Sequence, residues 1–74
     1  MKMITENGIK PVVWCQLKQF AFTNPELCIA YVIRTSPHPR LGPETGGVTV
    51  TSQVLNISFQ RKFFETLNTV YKWE

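Results

Sequence analysis

Between Glu26 and Thr35 the chain carries two interleaved sets of apolar residues: Leu27, Ile29, Tyr31 and Ile33, then Cys28, Ala30 and Val32. Side chains of a strand point to opposite faces in turn, so this pattern predicts a central strand covered on both faces. Val48 to Val54 follows a simpler period of two and predicts a second strand. The phase then slips. Apolar positions are even up to Val54 (Val48, Val50, Val54) and odd afterwards (Leu55, Ile57, Phe59). A one-residue slip marks a β-bulge, which bends a strand and lets it serve two faces of a barrel.

Two other segments fit two templates each. In 11–22, opened by Pro11, Val13, Leu17, Phe20 and Ala21 have helical spacing, whereas the β-branched and aromatic content favours a strand. From Phe59 to Trp73 a helix would align Phe59, Phe63, Leu67, Val70 and Tyr71. No good N-cap precedes that stretch, and a hairpin turning at Gln60-Arg61-Lys62 is the preferred reading. Residues 1–10 read as a loose polar lead-in with a turn signal at Asn7-Gly8, and Thr23-Asn24-Pro25 reads as a break. Ser36 to Gly47 holds three prolines and three glycines and is a long surface loop. The whole chain, 1–74, is expected to be a single all-β domain. Its predicted form is a small antiparallel meander of four to five strands, curled towards an SH3-like barrel.

Three pieces of the sequence form a recognisable set: His38-Pro39-Arg40-Leu41, Thr51-Ser52-Gln53-Val54 and Glu65-Thr66-Leu67-Asn68-Thr69-Val70-Tyr71. In this the chain resembles small, functionally unassigned β-rich proteins of bacterial and phage or prophage genomes. Those carry an H-P-R-[FL] loop, a T-S-x-V strand and an E-T-x-N-T-x-Y segment. The resemblance covers residues 38 to 71, about half the chain. It implies a hairpin in the tail and a mobile-element setting, and carries no catalytic residue with it.

Composition narrows the function classes. The chain has 74 residues, 43% hydrophobic and only 18% charged. A domain this short buries about 60% of its unfolded surface, and leftover apolar surface favours a homo-oligomer. The formal charge is +3 and the sequence pI about 9.1. Lys2, Lys10, Lys18, Arg34, Arg40, Arg61, Lys62 and Lys72 are scattered, which reads as a solvated surface and ranks a nucleic-acid-binding small barrel below other binding roles. Met1 to Lys10 has no continuous apolar stretch, and the longest apolar run, Leu27 to Ile33, is too short to span a bilayer. A cytoplasmic setting, bacterial or in a host cell, is therefore expected, with Cys15 and Cys28 as free buried thiols.

Candidate chemistry is sparse. There is one histidine, no aspartate and no nucleophile elbow. Glu6, Glu26, Glu44, Glu65 and Glu74 are dispersed and read as surface solubility. Cys15, Cys28 and His38 contain no chelating pair, so neither a metal nor another cofactor is expected. The chain is read as a non-enzymatic binding module that binds or sequesters a host component. One candidate ligand site is the proline- and glycine-rich loop. Arg40 offers a planar fork for an anion such as a nucleotide, Gly42, Gly46 and Gly47 offer backbone amides, and His38, Thr45 and Thr49 add polar contacts. The competing reading makes that loop a rigid connection whose glycines supply positive φ. Trp14, Tyr31, Tyr71 and Trp73 are the candidate interface aromatics, because interfaces are enriched in such side chains.

Overall fold

The computed structural model describes residues 1–24 and 27–74. The break expected at Pro25 and the strand start at Glu26 lie outside the described residues. Seven strands follow one another: β1 (Lys2–Thr5), β2 (Gly8–Asn24), β3 (Leu27–Arg34), β4 (Val48–Val50), β5 (Val54–Ser58), β6 (Phe63–Thr66) and β7 (Val70–Lys72). The all-β fold expected from the sequence is what forms. Both ambiguous segments are strands, and among the described residues there is no helix long and apolar enough to cross a membrane.

The strands make one sheet in the order β4-β3-β2-β7-β6-β5, with β1 added beside β2, and the sheet does not close into a barrel. β2 organises it by serving three partners in turn. Gly8 to Pro11 pairs with β1, Val12 to Trp14 runs parallel to β7, and the chain from Cys15 onward pairs with β3. The parallel pair departs from the expected meander, and strand direction explains it. β4 and β5 run in the same sense, joined by a bend at Thr51-Ser52-Gln53 rather than a hairpin. Four reversals therefore separate β2 from β7, and an even number brings β7 back parallel to β2.

Two register slips place the core. In β2 the ladder to β3 skips Lys18, so the inward residues change from Val13, Cys15 and Leu17 to Phe20. This slip also explains why β2 alternated poorly in sequence. In β5 the ladder to β6 skips Leu55, at the predicted phase change, and turns Val54 and Ile57 inward. The core gathers Val13, Cys15, Cys28, Ala30, Val32, Val54, Phe64 and Tyr71, with Leu17, Phe20, Ile57 and Trp73 against it. Phe64 stacks on Tyr71 at 4.9 Å between ring centroids and receives the edge of Phe20 at 5.4 Å, both favourable aromatic geometries.

The sequence reading needs two corrections at the ends of the chain. Residues 1–10 are not a loose lead-in. β1 and the start of β2 form a hairpin around Glu6-Asn7, and Val12 N–H extends the pairing by donating to Met1 O at 3.0 Å, just past the proline that lacks a donor. The tail turns at residues 59–62, with Lys62 in the left-handed region (φ 58°), but then folds again at Leu67-Asn68-Thr69 into two short strands. The reverse turn is closed by Thr66 N–H and Thr66 Oγ1, both donating to Thr69 O.

Phe64 is fully buried and Phe22 is 72% exposed although both are strand phenylalanines. Phe64→Ala is therefore expected to cost about 3–5 kcal/mol in urea unfolding, and Phe22→Ala no more than about 0.5 kcal/mol. Equal effects of the two substitutions would overturn this placement of the core.

Candidate functional site

The Ser36–Gly47 loop is tied to the sheet through its histidine. His38 is 5% exposed and turned inward. Its Nδ1 accepts the backbone N–H groups of Arg40 (3.0 Å) and Leu41 (3.2 Å), and its own backbone exchanges two hydrogen bonds with Gly42. Two donors at Nδ1 leave the neutral ring's proton on Nε2, which faces Tyr71 Oη at 3.1 Å and Thr69 Oγ1 at 3.2 Å. Burial and then the charges of Arg34 and Arg40 hold the His38 pKa below its ordinary value, so the ring is neutral at pH 7. Nε2 carries a proton and cannot take one from Thr69. The cluster is a structural lock, not a nucleophile and base.

The same geometry dismantles much of the predicted anion site. Gly42 N–H donates to His38 O and Gly46 N–H to Arg34 O, so two of the three glycine amides are spent inside the fold. Gly42, Gly46 and Gly47 all have positive φ, as the rigid-connection reading requires. His38 and Arg40 do line one shallow cleft of about 290 Å³, together with Thr51, Asn68 and Tyr71. Thr45, Gly46, Gly47 and Thr49 do not line it. Arg40 is exposed.

The residues of the sequence resemblance meet here. Besides the His38–Thr69–Tyr71 lock, Thr51 Oγ1 accepts Ala30 N–H at 3.0 Å while Thr51 N–H donates to Ala30 O at 2.9 Å, tying the β4–β5 bend to β3. In this chain these residues join loop, bend and tail.

Sequence reasoning missed the most demanding polar site. Glu65, expected on the surface, is fully buried, and Lys10, expected in solvent, is nearly so. Their side chains meet at 2.6 Å. Lys10 Nζ also donates to Thr66 O at 2.7 Å, and Thr5 Oγ1 (2.5 Å) and Asn7 Nδ2 (3.4 Å) donate to the Glu65 carboxylate. Burial pushes the Glu65 pKa up, but the hydrogen bonds from Lys10, Thr5 and Asn7 with the ammonium charge outweigh it and hold it below the ordinary value. All three donors come from the N-terminal hairpin and its continuation into β2, and the further acceptor, Thr66 O, lies on β6. A signal existed in hindsight: Glu65 sits between Phe64 and Thr66 in a segment with no other charge. Arg34 is also buried, donating to Gly42 O at 3.3 Å, and its Nε has no partner among the described residues.

The candidate interface aromatics part company. Tyr71 belongs to the core, which corrects its assignment to an interface. Trp73 packs against the core beside Phe64. Trp14 is half-buried with Lys72 Nζ 5.4 Å above its ring, and Tyr31 points away from the core. Cys15 and Cys28 are free and buried, and burial pushes the Cys15 thiol up to about 11, so it is protonated and unreactive at pH 7. Among the described residues no three His, Cys, Asp or Glu side chains gather where a metal could be held. No protein-family model, curated protein or solved structure matches the chain.

Removing Lys10 alone strands a buried carboxylate. Lys10→Met should cost about 3–5 kcal/mol in denaturant unfolding, and the double variant Lys10→Met/Glu65→Leu should recover most of that loss. A double variant as unstable as the single one would contradict the ion-pair account. The pH profile follows from two depressed values. A depressed folded pKa gives stability that is complete above the unfolded value and lost as pH falls through the folded one. Wild-type stability should decline from about pH 6.5 as the unfolded state takes up the His38 proton, and decline again in the carboxyl range as Glu65 protonates. His38→Gln should lack the first decline in a urea series across pH 4 to 8. Its persistence would assign the decline to another group.

Proposed function

We propose that the chain is a non-enzymatic binding module of the accessory kind suggested by its resemblance to prophage proteins, that it works in the cytosol, and that it acts as a homo-oligomer. The outer face of β3 and β4 supports this reading. Cys28, Ala30, Val32 and Arg34 fill the inner side of β3, so Ile29, Tyr31 and Ile33 point outward. Val50 lies directly across from Tyr31 and Val48 across from Ile33. These five side chains form an uncharged apolar stripe in which Val48 is 64% and Val50 52% exposed. Ile29, Tyr31 and Ile33 are only partly covered, and a strand apolar on both faces needs cover on both.

A second copy is the occupant we favour. β4 is a terminal strand of the sheet, and its outer edge has no strand beside it among the described residues. Two copies related by a two-fold axis can set β4 antiparallel to β4, which continues the sheet and brings the two stripes side by side. Such a contact is self-complementary, as an isologous dimer requires. Each copy carries +3, so added salt screens their repulsion and should strengthen association, the opposite of its effect on an oppositely charged partner.

The protein should sediment as a dimer or larger at micromolar concentration, more strongly at 0.5 M than at 0.05 M salt. The exposed double variant Val48→Lys/Val50→Lys should sediment as a monomer with its melting temperature little changed. A wild type that stays monomeric at every concentration would overturn the proposal.

A further inference from the structure

On the sheet face opposite the apolar core, we infer that the protein binds a nucleotide unit, a planar base bearing a phosphate. Lys72 is aligned with Trp14 on one side and Phe63 on the other by the β2–β7 and β7–β6 registers. Registered residues share a face, so a cation stands between two aromatic rings there. The N-terminal hairpin covers only part of this face, because the Glu65 hub pins it over the neighbouring row, where Glu65 is opposite Asn56 and Val70.

What the hairpin leaves uncovered is a cleft of about 660 Å³ lined by Met3, Ile4, Asn56, Arg61, Phe63 and Lys72. Glu65 forms part of its floor with its charge already met by Lys10, and Glu6 lies at the hairpin turn on its wall. Arg61 and Lys72 form no ion pair among the described residues. The cleft therefore pairs two cations that have no carboxylate partner among the described residues with an aromatic ring, an amide and the apolar Met3 side chain. A base has a flat face suited to Phe63 on one side and Met3 on the other, and Asn56 can both donate to and accept from a base edge. The guanidinium of Arg61 presents a planar fork to phosphate oxygens, with Lys72 as a second charge. Aromatic and cationic groups in one cleft favour base and phosphate together over either alone.

The base and phosphate could belong to a free nucleotide or to single-stranded nucleic acid, and calorimetric titration of the full chain separates the two. The titrants are AMP, GMP, CMP and UMP, adenosine, inorganic phosphate, and ten-nucleotide dA and dT oligonucleotides. At least one mononucleotide should bind one per chain, with adenosine and inorganic phosphate each at least tenfold weaker. A free nucleotide is the natural ligand if the oligonucleotides bind no more tightly than the mononucleotides. Single-stranded nucleic acid is the ligand if they bind more tightly and weaken steeply with salt. Arg61→Ala and Phe63→Leu should each weaken binding at least tenfold with melting temperatures preserved, while Arg40→Ala in the distant loop should leave it unchanged. Val48→Lys/Val50→Lys should also bind normally, so failure of the dimer reading and failure of this one are separate results. Absence of binding by every nucleotide and oligonucleotide, or unchanged binding in folded Arg61→Ala and Phe63→Leu, would overturn the inference.

Discussion

Lys10 and Glu65 meet where almost no water reaches either, and the N-terminal hairpin depends on that meeting. Burying one such charge costs several kcal/mol, and their attraction offsets this only when the remaining lone pairs and protons are also satisfied. Thr5 and Asn7 on the hairpin and the Thr66 carbonyl on β6 supply those partners. The pair therefore tolerates one placement of the hairpin against β6. An apolar contact would permit sliding, whereas a buried carboxylate with directed donors does not. The cleft beside it inherits its width from that placement.

On the other side of the sheet His38 does comparable work without charge. A neutral imidazole accepts at one nitrogen and donates at the other, so a single buried ring joins two loop amides to the Tyr71 and Thr69 hydroxyls of the tail. Arg34 and Arg40 nearby favour the neutral form. The loop that looked like an anion site because of its glycines and arginine has two of its three glycine amides turned inward. Its residue types suit ligand binding and tight connection equally, and only the direction of each N–H tells the two apart.

Two regions of the sheet face opposite the core are chemically distinct. Beyond β3 and β4 lies an uncharged apolar stripe. Beyond β6 and β7, cations alternate with aromatic rings. A chain of 74 residues makes one core, and a single sheet then leaves surface that something else must cover. Self-association at one end of this face and a ligand at the other are compatible, because the two regions share no residue.

The strands were legible because strand formation is written in short-range alternation. β3 and the bulge at Leu55 came directly from the parity of apolar positions. The same kind of slip at Lys18 left 11–22 open between helix and strand, since a bulge destroys the alternation by which a strand is recognised. Its β-branched and aromatic content rather than its period favoured the strand. β1 was lost for another reason: Lys2 to Thr5 has little alternation of its own and becomes a strand only by pairing with Gly8 to Pro11. Of the loop residues singled out in sequence, His38 mattered, but as a lock. Glu65 and Lys10 stand 55 positions apart, and no local pattern states that two charges will be taken out of water together. Local sequence determined that β2, β3 and β5 are extended, that the chain turns near Asn7-Gly8 and Gln60-Arg61-Lys62, and that the phase slips at Leu55. Tertiary structure alone decided which strands became neighbours, that β7 returns parallel to β2, and which polar groups went inside. Those outcomes depend on partners brought together only once the sheet is assembled.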